Sequence, residues 1–301
     1  MTLLEMLLDV DKIPFQKNCP LAPFSTFRIG GNADFAVFPE TMEQLLVALR
    51  LFRKCNVSYH LVGNGSNLLF PDEGLRGAVL FTRAVRRVKD TPEGMIAECG
   101  AMLPAIAHRA AERGLSGLEF AAGIPGTVGG AICMNAGAHG KEMAQVVVKT
   151  DFYDAENDTC GQLSGSEHAF GYRTSIFEHQ PQKTVLRTQF CLRPGDPNAI
   201  RQTMAENLAL RQKTQPLAEP SAGSVFKRPQ TGSAAELIDR CGLKGLSVGG
   251  AAVSEKHAGF IVNRQHATAK DVLDLMETIR ETVLAQTGIL LEPEIRVFGK
   301  I

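Results

Sequence analysis

Apolar residues return at helical spacing in several separate stretches of the chain. Leu45, Leu46, Leu49 and Phe52 follow Thr41 and Gln44, a pair spaced like a capping box, and predict a helix over 42–54. Pro104 opens a second helix that ends near Gly114, with Pro just inside the start and Gly past the end. Ile200, Met204 and Leu208 mark a third, after the turn-rich "PGDPNAI". A short helix is expected at 234–241. A long one runs from Thr268 and Asp271 to Gly288, with Val272, Leu275, Met276, Ile279 and Val283 as its apolar stripe. Between the helices, shorter segments predict strands: "SYHLVG" (58–63), "GAVLFT" (77–82), "GMIAECG" (94–100), "VVVKTDFYD" (146–154), "TVLRTQFCLR" (184–193) and "EIRVFG" (294–299). The pattern is α+β, in short pieces and without internal repeats. Two Pro-rich joints, at 194–200 and 216–223, suggest a domain boundary near residue 200, dividing the chain into 1–200 and 201–301.

Composition narrows the function classes. With 301 residues and no net charge, the chain can bury two cores and advertises no basic surface for nucleic acid or anionic lipid. No run of 18 apolar residues occurs, so no membrane-spanning helix is expected. The start, "MTLLEMLLDVDKIPF", has an apolar rhythm but carries acidic residues and no basic lead, unlike a signal peptide. The seven cysteines (19, 55, 99, 133, 160, 191 and 241) are odd in number and form no CxxC. Neither a disulfide framework nor a zinc site is expected, each cysteine is expected to be a small buried hydrophobe, and the chain to be cytoplasmic. His139 and His257 lack a second ligand at metal spacing. With no Trp and three Tyr, an aromatic platform for single strands is also a poor fit.

The candidate chemistry lies in two glycine-rich stretches. One is "GNGSN" (63–67). The other is "AAGIPGTVGGAICMNAG" (121–137), with five glycines and no charged residue. Glycines remove the Cβ wall, so successive N–H groups can converge on an anion. The strings are not those of a P-loop. They are not a Rossmann loop either, because Gly63-Asn64-Gly65 leads into "LLFPDEG" rather than a helix. "GNGSN" alone would serve as a tight turn; two such stretches together point to a nucleotide cofactor held by neutral backbone donors.

Seven strings then occur in order: "LAPFSTFRIGG" (21–31), "VGNGSNLL" (62–69), "GLSGLEFAAGIPGTVGGAICMNAGAHG" (114–140), "FGYRTSIF" (170–177), "PSAGSVFKRP" (220–229), "LKGLSVGGAAVSEKHAGFIVN" (243–263) and "LEPEIRVFG" (291–299). Together they resemble the UDP-N-acetylenolpyruvoylglucosamine reductase family, from about residue 18 to the last residues. The resemblance implies an FAD-binding portion of two α+β subdomains, of the vanillyl-alcohol oxidase kind, followed by a C-terminal substrate-binding domain. It implies FAD and NADPH as cofactors, a UDP-sugar as substrate, and a monomer without nucleic-acid or membrane partners. The implied reaction reduces the enolpyruvyl group of UDP-N-acetylglucosamine enolpyruvate to UDP-N-acetylmuramate for peptidoglycan. An FAD-linked oxidase of the same flavin fold, or a flavin-binding protein without catalysis, are the alternatives.

By the resemblance, Gly63, Asn64, Gly65, Ser66, Asn67, Gly123, Ile124, Pro125, Gly126, Thr127, Gly129 and Gly130 wrap FAD, and Ala131 to Gly137 continue the wall. The catalytic set falls on Arg173, Ser224 and Glu294. An arginine fork suits a carboxylate whose charge grows in the transition state. A serine hydroxyl can protonate an enolate-like carbon, and a carboxylate can orient a donor. Glu292, two residues from Glu294, is the alternative carboxylate. Tyr172, Arg211, Arg228, Lys244 and His257 are the candidates for substrate binding. The stretch between Arg173 and Ser224 is too short for the insertion that, in one branch of the family, carries a Tyr over the substrate, so the chain looks like the short, type II form. Thr214 stands before "QPL" where many relatives carry Lys, so one phosphate contact is expected to be absent.

Overall fold

The computed structural model describes residues 2–298. Eight helices lie within them: α1 Leu3–Val10, α2 Met42–Lys54, α3 Leu103–Glu112, α4 Val128–Cys133, α5 Ile176–His179, α6 Pro197–Thr214, α7 Ala234–Arg240 and α8 Ala269–Thr287. The predicted helices occur as α2, α3, α6, α7 and α8. Local chemistry explains their ends. Thr268 Oγ1 accepts from Asp271 N–H at 3.0 Å, Asp271 answers to Thr268 N–H at 2.9 Å, and Gly288 closes α8 in the left-handed conformation at φ 72°. At α2, Thr41 Oγ1 accepts from Gln44 N–H, but Gln44 Oε1 accepts from Glu40 N–H, one residue before the expected partner. The apolar rhythm of the first residues is α1, capped by Thr2. Inside the glycine stretch, α4 forms despite Gly129 and Gly130, because Thr127 caps it and Val128, Ala131 and Ile132 are buried.

The chain divides into two compact units. The first comprises Met1–Lys17, Phe35–Asn64 and Gly77–Leu210; the second comprises Asn18–Asp34, Gly65–Arg76 and Arg211–Ile301. The C-terminal part thus begins ten residues beyond the expected boundary, and the second unit also takes two N-terminal segments. The reason is burial: Phe27, Ile29 and Leu69 share a core with Val225, Phe226, Ile238, Val272, Leu275, Ile279 and Leu291. Apolar area removed from water does not depend on sequence order. The five stripe residues of α8 are 0–4% exposed, and each stabilises the second unit by about 1.5–3 kcal/mol over exposure.

In the first unit, an antiparallel five-stranded sheet has the order Thr159–Ser164, Val147–Asp154, Lys183–Cys191, Gly94–Glu98, Val88–Thr91. A four-stranded sheet, not confined to the first unit, has the order Phe15–Pro20, Asn32–Val37, Leu75–Phe81, Tyr59–Val62, the last pair parallel. In the second unit, Ser247–Val248, Ala251–Val253 and Ile261–Asn263 form an antiparallel sheet, and Leu68–Leu69 pairs in parallel with Arg296–Val297. Of the strand expected over 294–299, Arg296 and Val297 are so paired, and Gly299 lies outside the described residues.

Two cysteines depart from expectation. Cys19 and Cys99 are buried and Cys55, Cys133 and Cys241 partly so, but Cys160 and Cys191 are exposed. Both occupy outward positions of their strands, where residue parity sets exposure whatever the side chain. Among the described residues, no helix is long and apolar enough to cross a membrane, and no cluster of three metal-ligating side chains occurs.

Candidate active site

The loop after strand Tyr59–Val62 carries "GNGSN". Its first part lies against the glycine stretch in the first unit: Asn64 Nδ2 donates to Pro125 O at 2.6 Å. A Cβ on Gly63 would come 2.3 Å from Thr127 Oγ1, so protein packing requires that glycine; one on Gly129 would come 3.1 Å from Cys99 Cβ, a tight contact. Gly126 and Gly130 differ. A Cβ on Gly126 would meet atoms only at 3.8 and 3.9 Å, and one on Gly130 only Thr127 Oγ1 at 3.6 Å. Nothing in the protein demands glycine there.

The rest of the loop belongs to the second unit. Gly65 holds φ 65°, and its carbonyl accepts from Thr26 N–H at 3.2 Å. Among the described residues, the N–H groups of Gly65, Ser66 and Asn67 donate no backbone hydrogen bond. Three successive donors, Gly65 buried and Ser66 and Asn67 partly so, thus have no protein acceptor among the described residues, as in backbone that cradles an anion such as a pyrophosphate. Within the second unit, these donors fit the phosphates of a dinucleotide cofactor, and Gly65, Ser66 and Asn67 would hold those of FAD.

Ser224 and Glu294, seventy positions apart in sequence, come onto neighbouring extended segments of the second unit. Segment 224–227 runs between two others: Val225 N–H donates to Gly259 O at 2.9 Å on one side, and its carbonyl accepts from Glu294 N–H at 2.7 Å on the other. Bridges Ser224 to Phe260 and Phe226 to Pro293 extend the pairing. Glu294 is half-buried. Glu292, by contrast, is exposed and pairs with Lys227 at 3.7 Å. Gly223, before the serine, takes φ 80° with nothing within 4 Å of a Cβ. Thr26 braces the group: its Oγ1 donates to Ser221 O at 2.7 Å while its N–H holds Gly65. Asn67 Nδ2 donates to Glu294 O at 3.2 Å, and Asn67 O accepts from Arg296 N–H at 3.0 Å. The GSN part of the loop, Ser224 and Glu294 are therefore fixed to one another within the second unit. Sequence reasoning missed Thr26, whose only signal is its place in "FSTFR".

Arg173 lies in the first unit, at the corner of a two-residue turn closed by Gly171 N–H to Thr174 O at 3.1 Å and Thr174 N–H to Gly171 O at 3.3 Å. Its φ is 57°, a left-handed conformation a side chain adopts only where its surroundings impose it. Its guanidinium lies 5.1 Å from the centre of the Tyr172 ring and donates to Gly137 O at 3.4 Å. Tyr172 is 50% exposed.

The remaining candidates sit in the second unit. Lys244 is exposed and its Nζ lies 2.6 Å from Asp239 Oδ2. His257 stacks edge-on against Phe260, the residue bridged to Ser224, and its Nδ1 accepts from Gly259 N–H at 3.2 Å. Burial lowers its pKa, and the charge of Lys244 adds to the effect, so a neutral ring with an Nε2–H donor is favoured. Arg211 is half-buried, and desolvation lowers its pKa; Arg228 and Thr214 are exposed.

Comparison with known proteins gives these residues a context. Residues 215–298 match the family model described as UDP-N-acetylenolpyruvoylglucosamine reductase, C-terminal domain, and residues 33–160 match an FAD binding domain. The UDP-N-acetylenolpyruvoylglucosamine reductase of Caldicellulosiruptor bescii is 45% identical over 98% of this chain and 94% of its own length. The crystal structure of the Thermus caldophilus enzyme of the same kind superposes with a TM-score of 0.79 at 35% identity, covering 95% of this chain and 98% of that one. The structure of Phl p 4.0202, a glucose dehydrogenase, shares the fold alone: TM-score 0.51, 14% identity, 95% of this chain and 63% of that one. The architecture is thus an FAD-binding portion of the vanillyl-alcohol oxidase kind with a C-terminal α+β domain, and the chain belongs to the UDP-N-acetylenolpyruvoylglucosamine reductase family.

Proposed function

We propose that this protein reduces the enolpyruvyl group of UDP-N-acetylglucosamine enolpyruvate to give UDP-N-acetylmuramate, with FAD as bound cofactor and NADPH as reductant. The observation that carries the reading is the placement of Ser224 beside Glu294 on paired segments, in a chain 45% identical to such a reductase over 98% of its length. FAD, when bound, supplies the hydride it has taken from NADPH.

The chain's own residues handle charge and protons. Hydride addition to the terminal carbon of the enolpyruvyl double bond leaves negative charge on the carbon bearing the carboxylate, and on the carboxylate oxygens. Arg173 would meet that carboxylate with two parallel N–H donors, an interaction that strengthens as the charge grows. Ser224 Oγ would give its proton to the charged carbon and recover one from solvent. Glu294 would orient the proton donor. Lys244, Arg211 and Arg228 are the cations for the substrate diphosphate, Tyr172 and His257 line its site, and the first and second units carry the cofactor and substrate roles, respectively, for the most part. A cytoplasmic monomer without nucleic-acid or membrane partners is part of the same proposal; the zero net charge supports the absence of a nucleic-acid or anionic-lipid partner.

The test is the visible spectrum of the purified protein under anaerobic conditions. NADPH should bleach the flavin band, and the enolpyruvyl sugar nucleotide should restore it. Bleaching without restoration would refute the substrate; a protein that takes up no FAD would refute the whole reading.

A further inference from the structure

Asn135 falls in the 131–137 stretch that the resemblance gives to the FAD wall, but its side chain faces protein: the residue is 0% exposed and holds a left-handed φ of 42° just beyond α4. Both ends of its carboxamide are engaged. Nδ2 donates to Gly171 O at 3.0 Å, and Oδ1 accepts from Ala144 N–H at 3.0 Å. A carbonyl facing one end and an N–H facing the other fix which end is nitrogen. Gly171 O is the carbonyl that closes the Arg173 turn, where it also accepts from Thr174 N–H. Two further bonds tie the same turn to the same segment: Arg173 Nη2 to Gly137 O, and Ser175 Oγ to Cys133 O at 2.9 Å. Of the three, only the Asn135 bond grips the turn's own closing carbonyl.

We propose that Asn135 is a positioning residue for the reduction: its carboxamide fixes the Gly171 carbonyl, and with it the left-handed turn that presents Arg173. The inference rests on the reading of Arg173 as the group that meets the substrate carboxylate. Asparagine suits the place on two counts. It tolerates the left-handed backbone, and it offers one donor and one acceptor in opposite directions. Aspartate would keep the Ala144 bond but turn an oxygen toward the Gly171 carbonyl, in a buried site. Glycine would keep the backbone conformation and lose both bonds.

The test compares the two half-reactions in the FAD-loaded protein by stopped flow, for Asn135→Asp, Asn135→Gly, Arg173→Ala and the Asn135→Gly/Arg173→Ala double variant. Bleaching of the flavin by NADPH should stay at the parental rate in all of them. Reoxidation by the enolpyruvyl substrate should slow about 10–100-fold in both Asn135 variants, the scale of a displacement of about 1 Å at a reacting group. Added to Arg173→Ala, the Asn135→Gly change should slow reoxidation no further. A purely structural residue would slow both half-reactions and would multiply its loss in the double variant, which would overturn the inference. Should Asn135→Asp fail to fold, Asn135→Gly carries the comparison, since its backbone needs no strain. Parental reoxidation in the Asn135 variants beside a slow Arg173→Ala would sink the inference alone. Parental reoxidation in Arg173→Ala would sink the reading of Arg173 and the inference with it.

Discussion

Two glycines of the candidate FAD wall should respond to the same added methyl group in opposite ways. In Gly63→Ala the new Cβ would sit 2.3 Å from Thr127 Oγ1. Thr127 is 1% exposed and its hydroxyl caps α4, so it cannot turn aside without losing the cap. Loss of such a cap costs about 0.5–2 kcal/mol and overpacking a buried site about 1–3 kcal/mol. Together these amount to about 1.5–5 kcal/mol, which for a unit of this size lowers the unfolding temperature by about 3–20 °C. In Gly126→Ala the methyl meets only Ile124 Cγ2 at 3.8 Å and Leu103 Cδ1 at 3.9 Å, ordinary contacts. The FAD-free protein should therefore unfold at the parental temperature or a little above it, because alanine restricts the unfolded chain. Its affinity for FAD should fall instead, since the methyl occupies space the protein leaves open. The assay is thermal unfolding of each variant without and with added FAD. Gly126→Ala binding FAD as the parent does would refute the argument that this glycine serves the cofactor. Gly63→Ala with parental stability would refute the argument that Gly63 serves the fold.

Glu294→Gln should slow enolpyruvyl reduction at least tenfold while NADPH bleaching of the flavin is unchanged, whereas exposed Glu292→Gln should leave both half-reactions as they are; equal effects from the two would refute the choice of Glu294 over Glu292, and steady-state plus stopped-flow rates decide it. Burial lowers the pKa of His60 and of His168, the latter 0% exposed, below the usual histidine value of 6.5. The unfolded chain therefore takes up protons that the folded chain refuses, and stability should fall as pH drops below about 6.5, with His168→Gln flattening the slope in urea unfolding at pH 7.5 and 5.5. Leu275→Ala, at a 0% exposed position of the α8 stripe, should cost about 2–5 kcal/mol in denaturant unfolding.

What could be read from the sequence was what is decided within a few residues. Helices α2 and α8 were legible because their caps, Thr41 and Thr268, and the left-handed Gly288 act on neighbours three or four positions away. The rest depended on distance along the chain. Phe27, Ile29 and Leu69 look like residues of an N-terminal domain until burial places them in the core of α8. That single fact also explains the site. A unit that borrows Asn18–Asp34 and Gly65–Arg76 brings Thr26 and the GSN donors against the strands of Ser224 and Glu294, which no contiguous C-terminal domain could do. The discontinuity that a sequence reading cannot see is therefore what fixes the Gly65–Asn67 donors relative to Ser224 and Glu294. Loosening it, at Thr26 rather than at any residue that touches substrate, should disturb cofactor binding and proton delivery together.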